Sequence, residues 1–195
     1  MLRRIVVLCS GQGTNLQALI DAEHSKVLSS GKIVKVVSDR PDAYALVRAS
    51  CAGIETEIVS RKGHRRETFE RLLAGAIGKP ELIILAGFLP ILSPSFVKLY
   101  PQMIINIHPS LIPSFCGKGY YGLNVHKAVL AAGVKVTGAT VHFVNEVPDG
   151  GKIILQKAVE VKEGDTPEIL QKRVMEQAEW ELLPRAAELI CRGMK

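Results

Sequence analysis

Continuous apolar stretches alternate along the chain with segments whose apolar residues recur every three or four positions. Residues 3–9 and 81–87 each contain a continuous apolar run, which is typical of strands buried on both faces of a parallel sheet. After the first run, Leu16, Leu19 and Ile20 recur at helical spacing. This alternation predicts an α/β fold, a doubly wound and mostly parallel sheet with helices on both faces, similar to a Rossmann fold.

Similar patterns predict the remaining elements. The predicted strands are residues 32–38, 55–60, 104–108, 134–144 and 152–161, and the predicted helices are residues 42–51, 93–99, 125–132 and 165 to about 191, with one more helix around Phe69, Leu72 and Leu73. Asn124 is expected to cap the helix that begins at residue 125. Pro184 is expected to bend or interrupt the last helix.

Two polar residues interrupt the apolar run that begins at residue 104. Asn106 and His108 are two positions apart, so in a strand they point to the same face. Pro109 ends the strand, which places both side chains at its carboxyl end, where open α/β sheets hold ligands. An amide that donates without titrating, beside a histidine that titrates near neutral pH, indicates chemistry on a carbonyl that becomes an oxyanion. The alternative is an Asn and a His that bond only to nearby backbone.

A glycine-rich turn joins the first strand to the first helix. Residues 10–15 read Ser-Gly-Gln-Gly-Thr-Asn. Backbone N–H groups at a helix N-terminus bind phosphate, and Thr14 and Asn15 add side-chain donors. The turn lacks the third glycine of the dinucleotide fingerprint and the Gly-Lys-Ser/Thr of a P-loop. It therefore favours a phosphate-binding turn, with a structural tight turn or a nicotinamide-binding turn as alternatives.

Composition narrows the class of protein. The chain has 195 residues, of which 47% are hydrophobic and 23% charged, so we expect one globular domain, residues 1–195. No apolar run is long enough to span a bilayer, and the four scattered cysteines favour a reduced, cytoplasmic setting. The net charge of +6 is spread along the chain, which favours anionic small molecules over nucleic acid as ligands.

Three loops carry residues of possible functional interest. Residues 88–92 are more apolar than an ordinary surface turn, so they either line a pocket for a flat ring system or fill the core. Residues 114–122 contain three glycines and two tyrosines and form either a mobile flap or an ordinary surface loop. Asp149 precedes two glycines, either in an Asx turn or as a carboxylate that holds a catalytic histidine in its charged form.

Five segments, taken in order, resemble a known family. They are residues 10–15, 86–88 with 91–94, 106–113, 138–144 and 149–151. Together they resemble the folate-dependent phosphoribosylglycinamide formyltransferases, and the resemblance spans nearly the whole chain. The third and fifth segments occur more widely among enzymes that use 10-formyltetrahydrofolate, whereas the first points to the glycinamide ribonucleotide members.

The resemblance implies roles for individual residues. The implied catalytic residues are Asn106, His108 and Asp149. The implied substrate-binding residues are Gly13, Thr14 and Asn15 for the phosphate and Glu179 for the ribose. The implied folate-binding residues are Arg66, Leu89, Pro90, Ile91, Leu92, Asn106 and Val144. Pro90 stands where many family members have Arg, and the segment from Ser114 to Tyr121 is longer than its counterpart in many members.

The implied reaction is formyl transfer from 10-formyltetrahydrofolate, a co-substrate, to the amino group of 5-phosphoribosylglycinamide in de novo purine synthesis, without a metal. Asn106 and a protonated His108 would stabilise the oxyanion, and Asp149 would keep His108 protonated. The protein would act on small molecules, as a monomer or homodimer, without nucleic-acid or membrane partners. The alternatives are another 10-formyltetrahydrofolate enzyme (a hydrolase, or a transferase to a different amine) and a non-catalytic nucleotide-binding module.

Overall fold

A seven-stranded sheet forms the centre of the protein, which is described for residues 1–193 by a computed structural model. The strands are β1 (Arg3–Cys9), β2 (Gly31–Ser38), β3 (Glu55–Ile58), β4 (Leu82–Leu85), β5 (Ile104–His108), β6 (Val136–Phe143) and β7 (Ile153–Glu160). Their order is β3-β2-β1-β4-β5-β6-β7. The strands from β3 to β5 in this order are parallel, and β6 runs antiparallel to both β5 and β7.

Seven α-helices connect and cover the strands of the described chain. They are α1 (Thr14–His24), α2 (Tyr44–Cys51), α3 (Arg66–Ile77), α4 (Pro94–Lys98), α5 (Leu123–Ala131), α6 (Pro167–Val174) and α7 (Trp180–Cys191), and a π turn, Met175–Glu179, joins the last two. Element ends differ from the predicted ones by a few residues, as is usual for helix and strand termini. No helix within residues 1–193 is both long and apolar enough to cross a membrane.

The sheet buries both of its faces. In β1, Ile5 and Val7 pack into a core that includes side chains of α1, α2, α5, α6 and α7. Val6 and Leu8 point the other way, into a core shared with α3 and α4. Successive strand residues face opposite sides, so a strand covered on both faces must be apolar throughout, which explains the continuous apolar run. The predicted doubly wound α/β fold, with helices on both faces, is confirmed.

The carboxyl ends of β1, β4 and β5 lie side by side at one edge of the sheet, because these strands are parallel neighbours. From β1 the chain proceeds outward to β2 and β3, and it then returns to β4 on the other side of β1. Such a reversal of strand order opens a crevice at the carboxyl edge, where ligands bind in open α/β sheets. The glycine turn, residues 10–15, follows β1, and the apolar loop, residues 88–92, follows β4. Both segments therefore flank this crevice.

The predicted cap of α5 was wrong, and the predicted interruption of the last helix lies at another position. Asn124 is the second residue of α5 rather than its cap, because Gly122, with φ of 52°, ends the preceding loop at the cap position. Pro184 lies inside α7, and the interruption of the helix is the π turn immediately before Trp180. Proline has no N–H to offer the carbonyl of Trp180, four residues earlier, so the change in helix geometry lies next to the missing bond rather than at Pro184 itself.

Candidate active site

Asn106 and His108 lie on the same face of the sheet, at the carboxyl end of β5, as predicted. His108 is buried, and Asn106 is half-buried. The antiparallel strand β6 pairs Asn106 with His142. Because directly paired residues of neighbouring strands point to the same side, these two side chains meet: Asn106 Nδ2 lies 3.2 Å from His142 Nε2.

Both ring nitrogens of His108 face hydrogen-bond acceptors. Nδ1 lies 3.6 Å from Asp149 Oδ2, and Nε2 donates to the backbone carbonyl of Phe115 at 2.9 Å. Burial lowers the pKa of His108 below its usual value, and this effect outweighs the Asp149 charge and the Phe115 carbonyl, which raise it. His108 is therefore mostly neutral at pH 7. This differs from the expected protonated state, although Asp149 acts in the expected direction.

Asp149 is held in place by the loop of residues 114–122. Its Oδ2 accepts a hydrogen bond of 2.8 Å from the Gly117 N–H, and its Oδ1 lies 3.6 Å from His142 Nε2. Burial raises the pKa of Asp149, but its polar surroundings, which include the His108 ring and the Gly117 N–H, lower it overall, so the carboxyl group is ionised at neutral pH. Of the two interpretations of Asp149, the geometry favours the carboxylate beside a histidine.

The two glycines after Asp149 let the chain pass close to β6. A Cβ atom at Gly151 would lie 1.7 Å from the carbonyl oxygen of Phe143, and one at Gly150 would lie 2.8 Å from Val147. Asp149 itself has φ of 55°, in the left-handed region that residues with side chains rarely adopt. The Asp-Gly-Gly sequence thus produces a tight turn that brings the carboxylate back over the sheet edge.

His142 is the residue of this cluster to which the sequence pattern assigned no function. It is almost fully buried, 1% exposed, near the end of β6. Its Nδ1 bonds the carbonyl of Phe143 at 2.9 Å, and its Nε2 lies between Asn106 and Asp149. A histidine in a predicted strand was a visible signal, but its place beside Asn106 depends on the pairing of β6 with β5, which the sequence does not reveal.

The glycine turn provides an uncapped helix N-terminus at the same edge of the sheet. Gly13 precedes α1 with φ of 71°, and no side chain caps the helix. A Cβ atom at Gly13 would lie 2.7 Å from Cα of Ala45, so close packing against α2 also requires glycine. Arg48 of α2 donates from Nε to the Gln12 carbonyl at 2.9 Å, which turns that oxygen toward α2. The first N–H groups of α1 are thus suited to bind an anion.

Asn15 of the glycine turn contacts Glu179 of the π turn, although 164 positions separate them. Asn15 Nδ2 donates to Glu179 Oε2 at 2.6 Å, and both side chains are buried. Burial raises the pKa of Glu179 to about 7, while the bond from Asn15 acts in the opposite direction. Asn15 Oδ1 has no hydrogen-bond partner within residues 1–193. The residues implied for the phosphate and for the ribose therefore lie together.

The loop after β4 combines outward and inward apolar side chains. Leu89 and Ile91 are 48% and 56% exposed, whereas Pro90 is buried and Leu92 packs partly against the core. The Leu89 N–H donates to Ser10 Oγ at 2.8 Å, which ties the loop to the glycine turn. The loop therefore both fills the core and offers apolar surface at the crevice.

A buried carboxylate fixes the far end of this loop. Glu70 of α3 accepts bonds from the Ser93 N–H at 2.7 Å and from the Ser93 hydroxyl at 2.5 Å. Ser93 Oγ in turn accepts a bond from the Phe96 N–H and caps α4. Glu70 was not identified from the sequence, where it resembles any acidic residue on a helix.

The two other residues implied for folate lie at separate places. Val144 follows β6, is half-buried, and donates from its N–H to the Ile104 carbonyl at 2.8 Å. Arg66 is the first residue of α3 and is exposed. Their role in folate binding stays a prediction. No group of three or more His, Cys, Asp or Glu within residues 1–193 is arranged to hold a metal ion.

Comparison with known proteins identifies the family. Residues 3–187 match the model of the formyl transferase family. The chain is 40% identical over 198 residues to phosphoribosylglycinamide formyltransferase of Haemophilus influenzae, covering 98% of this chain and 89% of that protein. Glycinamide ribonucleotide transformylase 1 from Symbiobacterium toebii superposes with a TM-score of 0.90 at 40% identity, covering 98% of this chain and 89% of that one.

A longer relative contains a similar segment. The trifunctional purine biosynthetic protein adenosine-3 of Gallus gallus is 47% identical over 193 residues, which is 97% of this chain but only 18% of that protein. The similarity therefore concerns one segment of the longer protein. The match over residues 3–187 and the full-length similarity to shorter relatives lead to one conclusion: the chain belongs to the formyl transferase family.

Proposed function

We propose that the protein transfers a formyl group from 10-formyltetrahydrofolate to the amino group of 5-phosphoribosylglycinamide, giving phosphoribosyl-N-formylglycinamide and tetrahydrofolate. The observation that carries the proposal is the convergence of Asn106, His108 and Asp149 at the carboxyl edge of β5, with His108 Nδ1 3.6 Å from Asp149 Oδ2. An amide can supply the oxyanion donor for acyl transfer between two nitrogens, a histidine can carry the proton, and a carboxylate can stabilise the charged histidine. The names of relatives that match over most of their own length support phosphoribosylglycinamide as the acceptor of the formyl group.

His108 moves the proton in this mechanism. The substrate amine forms a bond to the formyl carbon, and the nitrogen must then lose a proton. Because its pKa is lowered by burial, His108 is neutral and able to accept that proton, directly or through water. Asp149 then stabilises the imidazolium that results. When the bond to N10 of the folate breaks, His108 returns the proton to the leaving nitrogen, so no net proton is gained or lost.

Asn106 stabilises the oxyanion. The formyl oxygen becomes negatively charged while the tetrahedral species exists, and the Asn106 amide supplies an N–H donor that does not titrate. A positioned donor of this kind is worth roughly 10²-fold or more in turnover. The imidazolium of His108 adds a positive charge nearby at the same stage of the reaction.

The glycine turn and Glu179 bind the ribonucleotide. The free N–H groups after Gly13, with Thr14 and Asn15, hold the phosphate at the amino end of α1. Glu179 accepts hydrogen bonds from the ribose hydroxyls, and its hydrogen bond to Asn15 supports this placement because it joins the two parts of the site. The unpartnered Asn15 Oδ1 is a further acceptor beside them.

Formyl folate binds along the loop after β4. The exposed apolar side chains of Leu89 and Ile91 cover the flat pterin, together with Pro90, Leu92 and Val144. Arg66, exposed at the start of α3, meets the acidic tail of the folate. In this proposal the folate is a co-substrate and the chemistry needs no metal. We expect the reaction to take place in the cytoplasm, with the rest of purine synthesis.

A steady-state assay tests the proposal. Purified protein is mixed with phosphoribosylglycinamide and 10-formyltetrahydrofolate, and tetrahydrofolate formation is followed with and without the ribonucleotide. The proposal expects turnover only when the ribonucleotide is present. Formate release without an acceptor would indicate a hydrolase instead, and absence of turnover in folded protein would contradict catalysis.

A further inference from the structure

A cross-strand hydrogen bond sets the orientation of the Asn106 side chain. Asn106 on β5 and His142 on β6 are a directly paired couple of the antiparallel ladder. Asn106 Nδ2 lies 3.2 Å from His142 Nε2, within hydrogen-bonding range. Asp149 Oδ1 lies farther from the same nitrogen, at 3.6 Å. Of the two contacts at His142 Nε2, the shorter one, to Asn106 Nδ2, is the hydrogen bond.

The other ring nitrogen fixes the tautomer of His142. Nδ1 lies 2.9 Å from the carbonyl oxygen of Phe143, and a carbonyl oxygen only accepts, so Nδ1 carries the hydrogen. An amide nitrogen only donates, so the partner of Asn106 Nδ2 must be a ring nitrogen with a free lone pair. Both contacts are therefore satisfied together by a neutral ring with its proton on Nδ1, which accepts from Asn106 at Nε2.

We propose that His142 is a positioning residue that fixes the Asn106 carboxamide with its NH₂ group turned toward β6. This inference rests on the proposed function, because it concerns the donor of the formyl transfer. One N–H of Asn106 bonds His142, and the second N–H is held in place for the formyl oxygen. The carbonyl end of the amide is thereby kept away from the developing negative charge.

The physical reason is the weak intrinsic preference of an amide for either orientation. The terminal torsion of Asn is broad and roughly two-fold, so rotation by half a turn exchanges oxygen for nitrogen at little cost. Without a partner that only accepts, the carboxamide would also present its oxygen to the oxyanion, where it would repel. Neighbouring groups must therefore select the orientation, and His142 Nε2 is an acceptor at the right distance.

Two substitutions separate the two ring nitrogens. Asn at position 142 carries its amide near the place of Nδ1, so it preserves a bond to Phe143 but leaves Asn106 without an acceptor. Gln carries its amide near the place of Nε2, so it restores an acceptor for Asn106. We expect His142→Asn to lower kcat roughly tenfold or more, toward the ~10²-fold that accompanies loss of an oxyanion donor. His142→Gln should recover most of the lost kcat, and KM for both substrates should change little.

A double-mutant cycle shows whether His142 acts through Asn106. In an Asn106→Ala background the amide is absent, so adding His142→Asn should cause little further loss of kcat. An equal loss in both backgrounds would overturn the inference, since His142 would then act through Asp149 or through the fold. Failure of His142→Gln to exceed His142→Asn in kcat would also overturn it.

A spectroscopic measurement tests the same inference without activity. In protein labelled with ¹⁵N-histidine, NMR should identify His142 as a neutral ring with its proton on Nδ1. A proton on Nε2 would overturn the proposal, whether or not the variants fold.

The matched control for the activity measurements is Thr137→Val, which removes another buried polar group from β6. The Thr137 hydroxyl has no hydrogen-bond partner within residues 1–193. The kcat of this variant should equal that of the wild type. Absence of turnover in the wild type would refute the proposed function and leave the NMR result as the separate test of this one.

Discussion

The Asn15 amide and the Glu179 carboxyl group form a buried hydrogen bond of 2.6 Å between the first helix and the π turn. Glu179 is enclosed by protein, and burial raises its pKa to about 7. A carboxyl group with this pKa is about half ionised near neutral pH. The free energy of unfolding must therefore depend on pH in a way that can be assigned to this single residue.

Glu179→Gln should remove part of the pH dependence of stability. In the unfolded chain Glu179 ionises near its ordinary pKa, and in the folded protein only near pH 7, so the wild type loses stability as pH rises from about 4.5 to 7. The full loss is on the order of 3 kcal/mol. Denaturant unfolding of both proteins at pH 5 and pH 8 measures it: relative to wild type, the variant should gain stability at the higher pH. A difference that does not change with pH would contradict the raised pKa.

His108→Ala should lower kcat by roughly 10²-fold or more while the protein stays folded, because it removes the group that we propose accepts and returns the proton. Stopped assays at saturating substrate, with circular dichroism as a check on folding, give the answer. Near-normal turnover in a folded variant would exclude His108 from the mechanism.

Asp149→Asn should shift the acid limb of the pH–rate profile to lower pH. The Asp149 charge raises the pKa of His108 against the effect of burial, so its removal lowers that pKa further. The neutral histidine then persists to lower pH, but the imidazolium formed during turnover loses its counter-ion, and kcat at the plateau should fall. The profile of kcat between pH 5 and 9 tests both effects. An unmoved acid limb would show that Asp149 does not influence His108.

Glu70→Ala should weaken folate binding more than ribonucleotide binding. The substitution leaves the buried Ser93 N–H without its acceptor, at a cost of about 1–3 kcal/mol, and releases the end of the apolar loop. KM for formyl folate should rise, and KM for the ribonucleotide should stay nearly constant. Glu67→Ala, an exposed change on the same helix, is the control and should alter neither constant. Equal increases in both KM values for Glu70→Ala would point to a general loss of structure.

Gly151→Ala should destabilise the protein and reduce kcat, because the new Cβ would overlap the Phe143 carbonyl oxygen and displace the turn that carries Asp149. Gly75→Ala should have the opposite effect on stability. Gly75 lies in the exposed interior of α3 with open space around it, so alanine should stabilise the helix by about 0.5–1 kcal/mol. Thermal unfolding of the two variants should give shifts of opposite sign. A stabilised Gly151→Ala variant would refute the close approach.

The sequence was most informative where a feature depends on the residues of a single strand. The period of two within β5 was enough to place Asn106 and His108 on one face, and Pro109 was enough to end the strand. The continuous apolar run of β1 indicated a strand with both faces buried, because no half-exposed strand would tolerate it.

Features that depend on contacts between distant elements were not predictable. His142 reaches Asn106 only through the register of β6 on β5. Glu70 supports the apolar loop from another helix. The charge state of His108 depends on how deeply it is buried, and the expectation from Asp149 alone therefore gave an incomplete answer. In each case the determining quantity is a tertiary distance or an exposed fraction, and a pattern along the chain contains neither.

The π turn Met175–Glu179 also affects how this chain should be aligned with its relatives. A π turn holds one more residue than the α-helical turn it replaces. Deleting one exposed residue there, such as Gln177, would let α6 and α7 join as a continuous α-helix with both flanks kept in place. Chain length can thus change by one at this point without a new loop. Against a relative with an ordinary α-helical turn at this point, an alignment without a gap would place the wrong residue opposite Glu179, so the register is best set from the α7 side.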